Sequence, residues 1–382
     1  MENKKQIYYW APFINKVATI KAVYNSAKSL NKYSAGRYEG IILDVFGEWK
    51  NSDYFMLNKN IFYKLGHYPF LFKFSSLGFL KSRIKYILVF FLSFFSLKKF
   101  IFEKKPEYLI IHLISSLPLF INYIFKSNTK IILRISGLPK INIFRYLLWK
   151  FFENKIYKVT CPTESTYNFI KKKNIFKKNK VEILSDPIID MKDFLKKKKE
   201  NFNFDKLENK KYLIGIGRLT KQKNFELLIN FFYKIQNKYN EFELVIIGEG
   251  EDELKLKNML KKYNIQNKVH FLGYQANVFR FLLKSECFIL TSLWEDPGFV
   301  IVEAALSNIP IISSNCPNGP KEIVKNNGFL FKNNNLQDLL FKFDEFIKTD
   351  SEKIYKNKVE IKKRIKRFTV LHHYKKLIEI LK

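Results

Sequence analysis

The chain has 382 residues, 47% of them hydrophobic, and carries a formal charge of +33. That length exceeds one ordinary core and suits two domains of similar size, with ample apolar material for buried sheets. The charge favours polyanionic partners, but the 68 Lys and Arg run through the whole chain with no helix-turn-helix, zinc or RNP pattern, so no specific nucleic acid is expected.

Other classes fall away in the same manner. Cys161, Cys287 and Cys316 are distant and odd in number, which excludes a disulfide framework or a cysteine metal cluster and fits a reducing compartment. The opening MENKKQIYYWAPF lacks the apolar core and cleavage site of a secretory signal. The longest apolar run, Ile87 to Leu97, is shorter than the ~20 residues of a membrane span. A cytoplasmic protein is expected, one that can rest on a membrane.

In chain order, strands are expected at Gln6–Trp10, Ile41–Val45, Tyr108–His112, Lys130–Ile135 and Val159–Cys161. Helical patterns at Val17–Leu30, Lys81–Leu97, Leu117–Phe125, Phe144–Phe152 and Glu164–Lys172 separate them, the alternation of a parallel sheet covered on both faces. Asp186–Lys211, rich in lysine, reads as a linker with a poorly packed lead-in. Strands then recur at Tyr212–Ile216, Glu243–Ile247, Val269–Leu272, Cys287–Thr291 and Pro310–Ser313. The helices of this half are expected at Asn224–Asn240, Glu251–Tyr263, Val278–Lys284, Val300–Ser307, Lys321–Val324 and Leu336–Lys348. A long basic helical pattern, Lys353–Leu381, follows with a break near Phe368. The expected domains are 1–190, 191–360 and a C-terminal helix, 361–382, that can cross back to the first.

Three segments carry candidate chemistry. GIGRLTKQKNFELLI runs from a strand end into a helix, and Arg218 and Lys223 flank its turn beside Gly217. Cations there would cover a diphosphate and make it a better leaving group, Arg by a forked contact and Lys as a mobile charge. Either alone is equally a solvated surface cation. LTSLWEDPGFVIVEAALSNIPIISSNCPNGPKE places Glu295 and Glu303 eight positions apart across a loop-to-helix junction. Gly298 and the free amides near Phe299 and Val300 would form an anion-binding helix start, although a Glu pair at this spacing also arises by chance. The Gly248-Glu249-Gly250 turn reads as a tight turn more readily than as a phosphate cradle. VHFLGY ends at Gly273, where backbone groups could hold a flat base.

GRLTKQKNFELLI, LVIIGEGED, VHFLGYQANV, SLWEDPGFVIVEAALSNIPIISSNCPNGPKEIV and NNGFLF together resemble retaining family-4 glycosyltransferases, in order and in spacing, from Tyr212 to Phe331. WAPFINKVATIKAV, IIHLISSLPL, LRISGLPK and CPT make the first half similar to bacterial surface-polysaccharide transferases. The resemblance implies an α/β GT-B fold, two facing Rossmann-like domains with the active site in the cleft between them. It implies that Arg218 and Lys223 bind the donor diphosphate, Glu303 holds the ribose hydroxyls, and Glu295 faces the donor sugar. Amides around Phe299 and Val300 would meet sugar and phosphate. Such enzymes retain configuration with no metal or other cofactor, in keeping with the absence of any Asp-x-Asp in this chain.

Three departures stand out. The first loop, Pro12 to Lys16, lacks the family's paired glycines, and Lys16 or Asn15 can substitute with side chains or simply be exposed. His112 aligns with the first histidine of a His-x-His acceptor pattern, but Ile114 takes the second place, so His112 is either an acceptor group or a core histidine. Asp296-Pro297 replaces a common Gly-Phe and bears on sugar choice.

Lys73–Lys105 is aromatic, apolar and basic together, which suits a helix resting on anionic inner-leaflet headgroups, with Arg83 and Lys85 at the interface. The expected reaction is hexosyl or N-acetylhexosaminyl transfer from a nucleotide diphosphate sugar to a lipid-linked, lipopolysaccharide or capsule glycan. Its rivals are nucleotide-sugar epimerisation or another GT-B reaction, and an inactive basic binding subunit on the membrane.

Overall fold

The structure, a computed structural model, describes residues 4–13, 19–50, 52–68, 70–73, 79–200, 204 and 207–382; of 72, 73 and 79–83 it describes the backbone alone. Lys16 and Asn15, and the side chain of Arg83, lie outside the described residues. The chain divides into two compact units, Met1–Ile188 with Phe368–Lys382, and Ile189–Arg367.

The first unit holds β1 (Lys5–Trp10), β2 (Tyr38–Asp44), β3 (Phe62–Lys64), β4 (Tyr108–Ile111), β5 (Lys130–Arg134), β6 (Ile156–Cys161) and β7 (Val181–Ile183). They form one sheet in the order β3-β2-β1-β4-β5-β6-β7, every pair parallel. Strand residues alternate between two apolar layers. Tyr8, Trp10, Leu109 and Ile111 enter one cluster, and Ile7, Tyr9, Tyr108 and Ile110 the other. A parallel sheet covered on both faces needs this near-continuous apolar content. Part of the second layer is supplied by the end of the chain: the helix Val370–Leu381 buries Leu377, Ile380 and Leu381 there. The Tyr108 hydroxyl donates to the Leu381 carbonyl at 2.6 Å.

The second unit holds β8 (Lys211–Ile216), β9 (Phe242–Ile247), β10 (Val269–Phe271), β11 (Cys287–Leu290), β12 (Ile311–Ser314) and β13 (Phe329–Phe331). Their order is β10-β9-β8-β11-β12-β13, again parallel throughout. The helix Phe225–Ile235 buries seven of its eleven residues against them. Both sheets reverse direction of strand addition once, at β1/β4 and at β8/β11. In such doubly wound sheets ligands bind outside the carboxyl ends of the strands at that switch point.

Three expectations need correction. Three three-residue strands, β3, β7 and β13, are additional to those expected; each is too short to show a period of its own. The supposed linker contains a helix, Met191–Lys198, that Phe194 anchors by packing edge-on against Phe279 with ring centroids 4.9 Å apart. Asn277 reinforces it by donating to the Lys197 carbonyl at 2.9 Å. The basic tail breaks where expected, at Ile365–Phe368, and its two helices, Ser351–Arg364 and Val370–Leu381, belong to different units. Lys85 is buried rather than interfacial, and burial lowers its pKa.

Candidate functional site

In the second unit the carboxyl ends of β8 and β11 carry the candidate residues. Gly217 follows β8, and its amide continues the sheet by donating to the Ile247 carbonyl at 2.9 Å. A Cβ at 217 would stand 3.1 Å from Cδ and Cε of Lys223, so the glycine leaves room for the lysine stem. Three further contacts bind this loop to the one after β11. Thr291 Oγ1 donates to the Lys223 carbonyl at 3.1 Å. The Leu293 amide donates to the Gln222 carbonyl at 2.8 Å, and Gln222 Nε2 to the Trp294 carbonyl at 3.0 Å.

This lacing brings together two residues 72 positions apart. Lys223 Nζ lies 2.6 Å from Glu295 Oε1, with the Glu295 side chain 4% exposed. Ser292 Oγ donates to the same oxygen at 2.6 Å, and the Ser292 carbonyl accepts from Ser314 Oγ at 2.6 Å. The carboxylate is thus held by a cation and a hydroxyl, and Ser314 fixes the loop from behind. Arg218 stands exposed at the β8 turn. Its side chain has no hydrogen bond or ion pair among the described residues.

Glu303 lies half-buried in the helix Phe299–Leu306. Gly298 caps that helix at φ 86°, a left-handed conformation that glycine adopts without strain. The first-turn amides of Phe299 and Val300 precede any carbonyl the helix can offer them. The helix entrance leans on the loop after β12. The Glu295 amide donates to the Pro317 carbonyl at 3.1 Å, and Asn318 Nδ2 donates to Asp296 Oδ1 at 2.9 Å. A Cβ on Gly319 would fall 2.0 Å from the Pro297 oxygen. Ser292, Ser314 and Asn318 are not singled out by the sequence alone. All three sit inside the segment that carries the two glutamates, and short polar residues at buried strand ends were the available signal.

Gly248 and Gly250 make close approaches to backbone. Cβ atoms there would lie 1.9 Å from the Gly217 oxygen and 2.2 Å from the Leu219 oxygen. Glycine at both positions lets the loops after β8 and β9 touch. Gly273, at φ 62°, accepts from the Gly248 amide at 2.9 Å, which places it on the same edge. Glu249 Oε1 accepts from the Tyr274 amide at 3.1 Å.

His112 belongs to the first unit, directly after β4 at its switch point. Its amide donates to the Trp10 carbonyl at 2.9 Å, and the Ile114 carbonyl accepts from the Trp10 indole at 3.2 Å. Both ring nitrogens are buried and make no hydrogen bond among the described residues. They border a cavity of about 10 Å³, lined also by Ser26, Arg134, Thr160, Asp186 and His373, room for one water. Burial first, then Arg134 and His373, holds the His112 pKa well below 6.5. His373 from the terminal helix is pushed down to about 3, chiefly by burial. It meets Ser26 Oγ at 2.7 Å and the Ser185 carbonyl at 2.7 Å. Arg134 pairs with Asp186 at 2.6 Å; burial raises the Asp186 pKa, and Arg134 offsets part of that rise.

Comparison with known proteins gives these features a family. Residues 196–367 match the family model of glycosyl transferases group 1. An uncharacterised glycosyltransferase of Methanocaldococcus jannaschii is 34% identical over 256 residues, covering 60% of this chain and 61% of that protein. The N-acetylgalactosamine-N,N'-diacetylbacillosaminyl-diphospho-undecaprenol 4-alpha-N-acetylgalactosaminyltransferase of Campylobacter jejuni is 28% identical over 153 residues, covering 39% of this chain and 41% of that enzyme. The chain therefore spans less than two thirds of either relative. Among solved structures, a glycosyltransferase of Rickettsia africae ESF-5 superposes with a TM-score of 0.78 at 17% identity, over 100% of this chain and 99% of that one. Residues 196–367 are thus similar to the glycosyl transferases group 1 family, and the fold that carries them is GT-B.

Proposed function

We propose that the chain moves a hexose or N-acetylhexosamine from a nucleotide diphosphate sugar to a lipid-linked, lipopolysaccharide or capsule glycan, with retention and with no metal. The observation that carries this reading is the Lys223–Glu295–Ser292 cluster at the β8/β11 switch point, beside the exposed guanidinium of Arg218. In that transfer an acceptor hydroxyl oxygen bonds to the anomeric carbon. The bond from that carbon to the phosphate oxygen breaks with its electron pair on the diphosphate, which takes up the acceptor proton. Arg218 and Lys223 offset that charge, as preorganised cations do without reorganising. First-turn amides at Phe299 and Val300 add their dipoles, with Gly298 allowing close approach. Glu295 orients the sugar and Glu303 the ribose, while Gly217 and Gly273 border the nucleotide. Lys16 goes with the donor phosphates and His112 with the acceptor: loss of Lys16 is expected to weaken donor binding, and loss of His112 to lower transfer with donor binding intact.

The Campylobacter relative is named for transfer onto a diphospho-undecaprenol-linked sugar through a 4-alpha linkage, which supports a lipid-linked acceptor. A location on the cytoplasmic side of the inner membrane goes with that acceptor. A thermal-shift panel of nucleotide sugars, with and without chelator, is the test. One donor should stabilise the protein, equally well with chelator present, and Glu303→Ala should abolish the shift. An unchanged shift in Glu303→Ala would remove that assignment. Release of a new soluble nucleotide sugar without acceptor would favour epimerisation.

A further inference from the structure

The first unit has an apolar surface that its own core does not use. Along the helix Phe79–Lys104, Val89, Leu97, Phe100 and Ile101 point into the core. On the opposite side Ile84, Ile87, Phe91, Phe95 and Phe102 form a second stripe at helical spacing, with Phe91 67% and Phe95 75% exposed. A helix apolar on both sides belongs in a protein interior or against lipid. This one lies at the surface.

Its neighbours extend the stripe into a face. Phe120, Tyr123 and Ile124 of the helix Ser116–Ile124 are exposed, and Phe120 lies beside Phe90 and Phe94 with ring centroids 6.3 and 6.4 Å apart. Tyr123 in turn touches Phe151 at 4.7 Å. Phe151 belongs to the helix Ile143–Phe152, where Ile143 and Phe144 are 79% and 72% exposed and Leu147 continues the row. Three packed helices thus present one aromatic surface, far beyond the scattered exposed apolar residues of ordinary monomers.

Charge selects what covers it. Between 79 and 152 the chain has thirteen lysines and arginines against two glutamates. Lys99, Lys104, Lys126, Lys140, Arg145 and Lys150 are exposed on these segments, and Lys98 lies over the Phe125 ring at 4.0 Å. Two copies of this face would bring like charges together. An anionic headgroup layer would neutralise them while the Phe side chains enter the acyl boundary. Among the described residues no helix is long and apolar enough to cross a membrane, so the arrangement is in-plane.

We propose that the face built by 79–104, 116–124 and 143–152 docks flat on an anionic phospholipid bilayer. This rests on the membrane-side location given under the proposed function and assigns it a surface. It also moves the contact away from Lys85 and onto two helices the lysine-rich run does not include.

The test is flotation of the full chain with vesicles of phosphatidylglycerol in phosphatidylcholine, and with phosphatidylcholine alone. The wild-type chain should float with the anionic vesicles, and high salt should weaken the association. Phe95→Glu with Phe144→Glu should reduce flotation at least about tenfold, with the nucleotide-sugar thermal shift unchanged. That shift separates failure of the docking face from failure of the transferase reading. Should the Glu variant fold poorly, Phe91→Ser with Ile143→Ser serves in its place. Failure of the wild type to float, or equal flotation of the variants, overturns the proposal. A concentration-dependent dimer that the variants abolish, with no flotation, also overturns it in favour of a second copy.

Discussion

Lys223 and Glu295 meet at 2.6 Å from loops that follow different strands, and the carboxylate is almost wholly buried. Removing one partner of such a pair strands the other charge. Lys223→Met is therefore expected to destabilise the second unit by about 3 kcal/mol and to remove sugar transfer. The Lys223→Met, Glu295→Met double variant should recover much of that stability and none of the activity. Urea denaturation of the wild type, Lys223→Met, Glu295→Met and the double variant forms the cycle; a cost below about 1 kcal/mol for Lys223→Met would place the pair with exposed ion pairs.

Arg218 stands at the opposite extreme, exposed and with no side-chain partner among the described residues. Arg218→Ala should change stability by less than about 0.5 kcal/mol. Donor affinity should fall roughly tenfold or more, the loss of a charge-assisted hydrogen bond. Calorimetric titration with the stabilising nucleotide sugar measures this, and unaltered affinity would take Arg218 out of the site.

Gly248 tests how the loops are joined. At φ +137°, with any Cβ placed 1.9 Å from the Gly217 oxygen, alanine cannot be accommodated by a side-chain shift. Gly248→Ala should lower stability by about 2 kcal/mol or more and weaken donor binding by displacing the Gly217–Arg218 turn. Gly36, at φ +83° with open space around it, is the control: Gly36→Ala should cost less and leave donor affinity alone.

Acid should loosen the first unit. His373 is held neutral by burial, with its pKa pushed down to about 3, whereas in the unfolded chain it would titrate near 6.5. Between these values the unfolded state binds the extra proton, so stability is intact above about 6.5 and declines as pH falls below it. At pH 5 the loss is about 2 kcal/mol from this group. His112 adds a loss of the same sign, since its pKa is also lowered. Denaturation at pH 7.5 and pH 5 should show a smaller difference in His373→Gln than in the wild type; an equal difference would place the acid sensitivity elsewhere.

Much of the architecture was legible because parallel strands buried on both faces are written as long apolar runs punctuated by glycine. β8, β9 and β11 were placed within one or two residues in this way. The positions of Arg218 and Glu295 at strand ends followed from the same punctuation. Their company did not, because Ser292, Ser314 and Asn318 act through tertiary contacts that have no periodic signature. Met191–Lys198 escaped notice for a related reason: a single buried aromatic, Phe194, anchors an otherwise lysine-rich helix. The inward face of Lys85 was hidden because a helix apolar on both sides leaves no moment to tell core from surface.

The first unit is assembled from residues on both sides of the second, with Leu377, Ile380 and His373 arriving after residue 367. Vectorial synthesis then imposes an order. The continuous stretch Ile189–Arg367 can mature as soon as it leaves the ribosome, while the sheet translated earlier must wait with one apolar layer incomplete. That waiting interval is when the unfinished apolar layer leaves the nascent chain most exposed to aggregation.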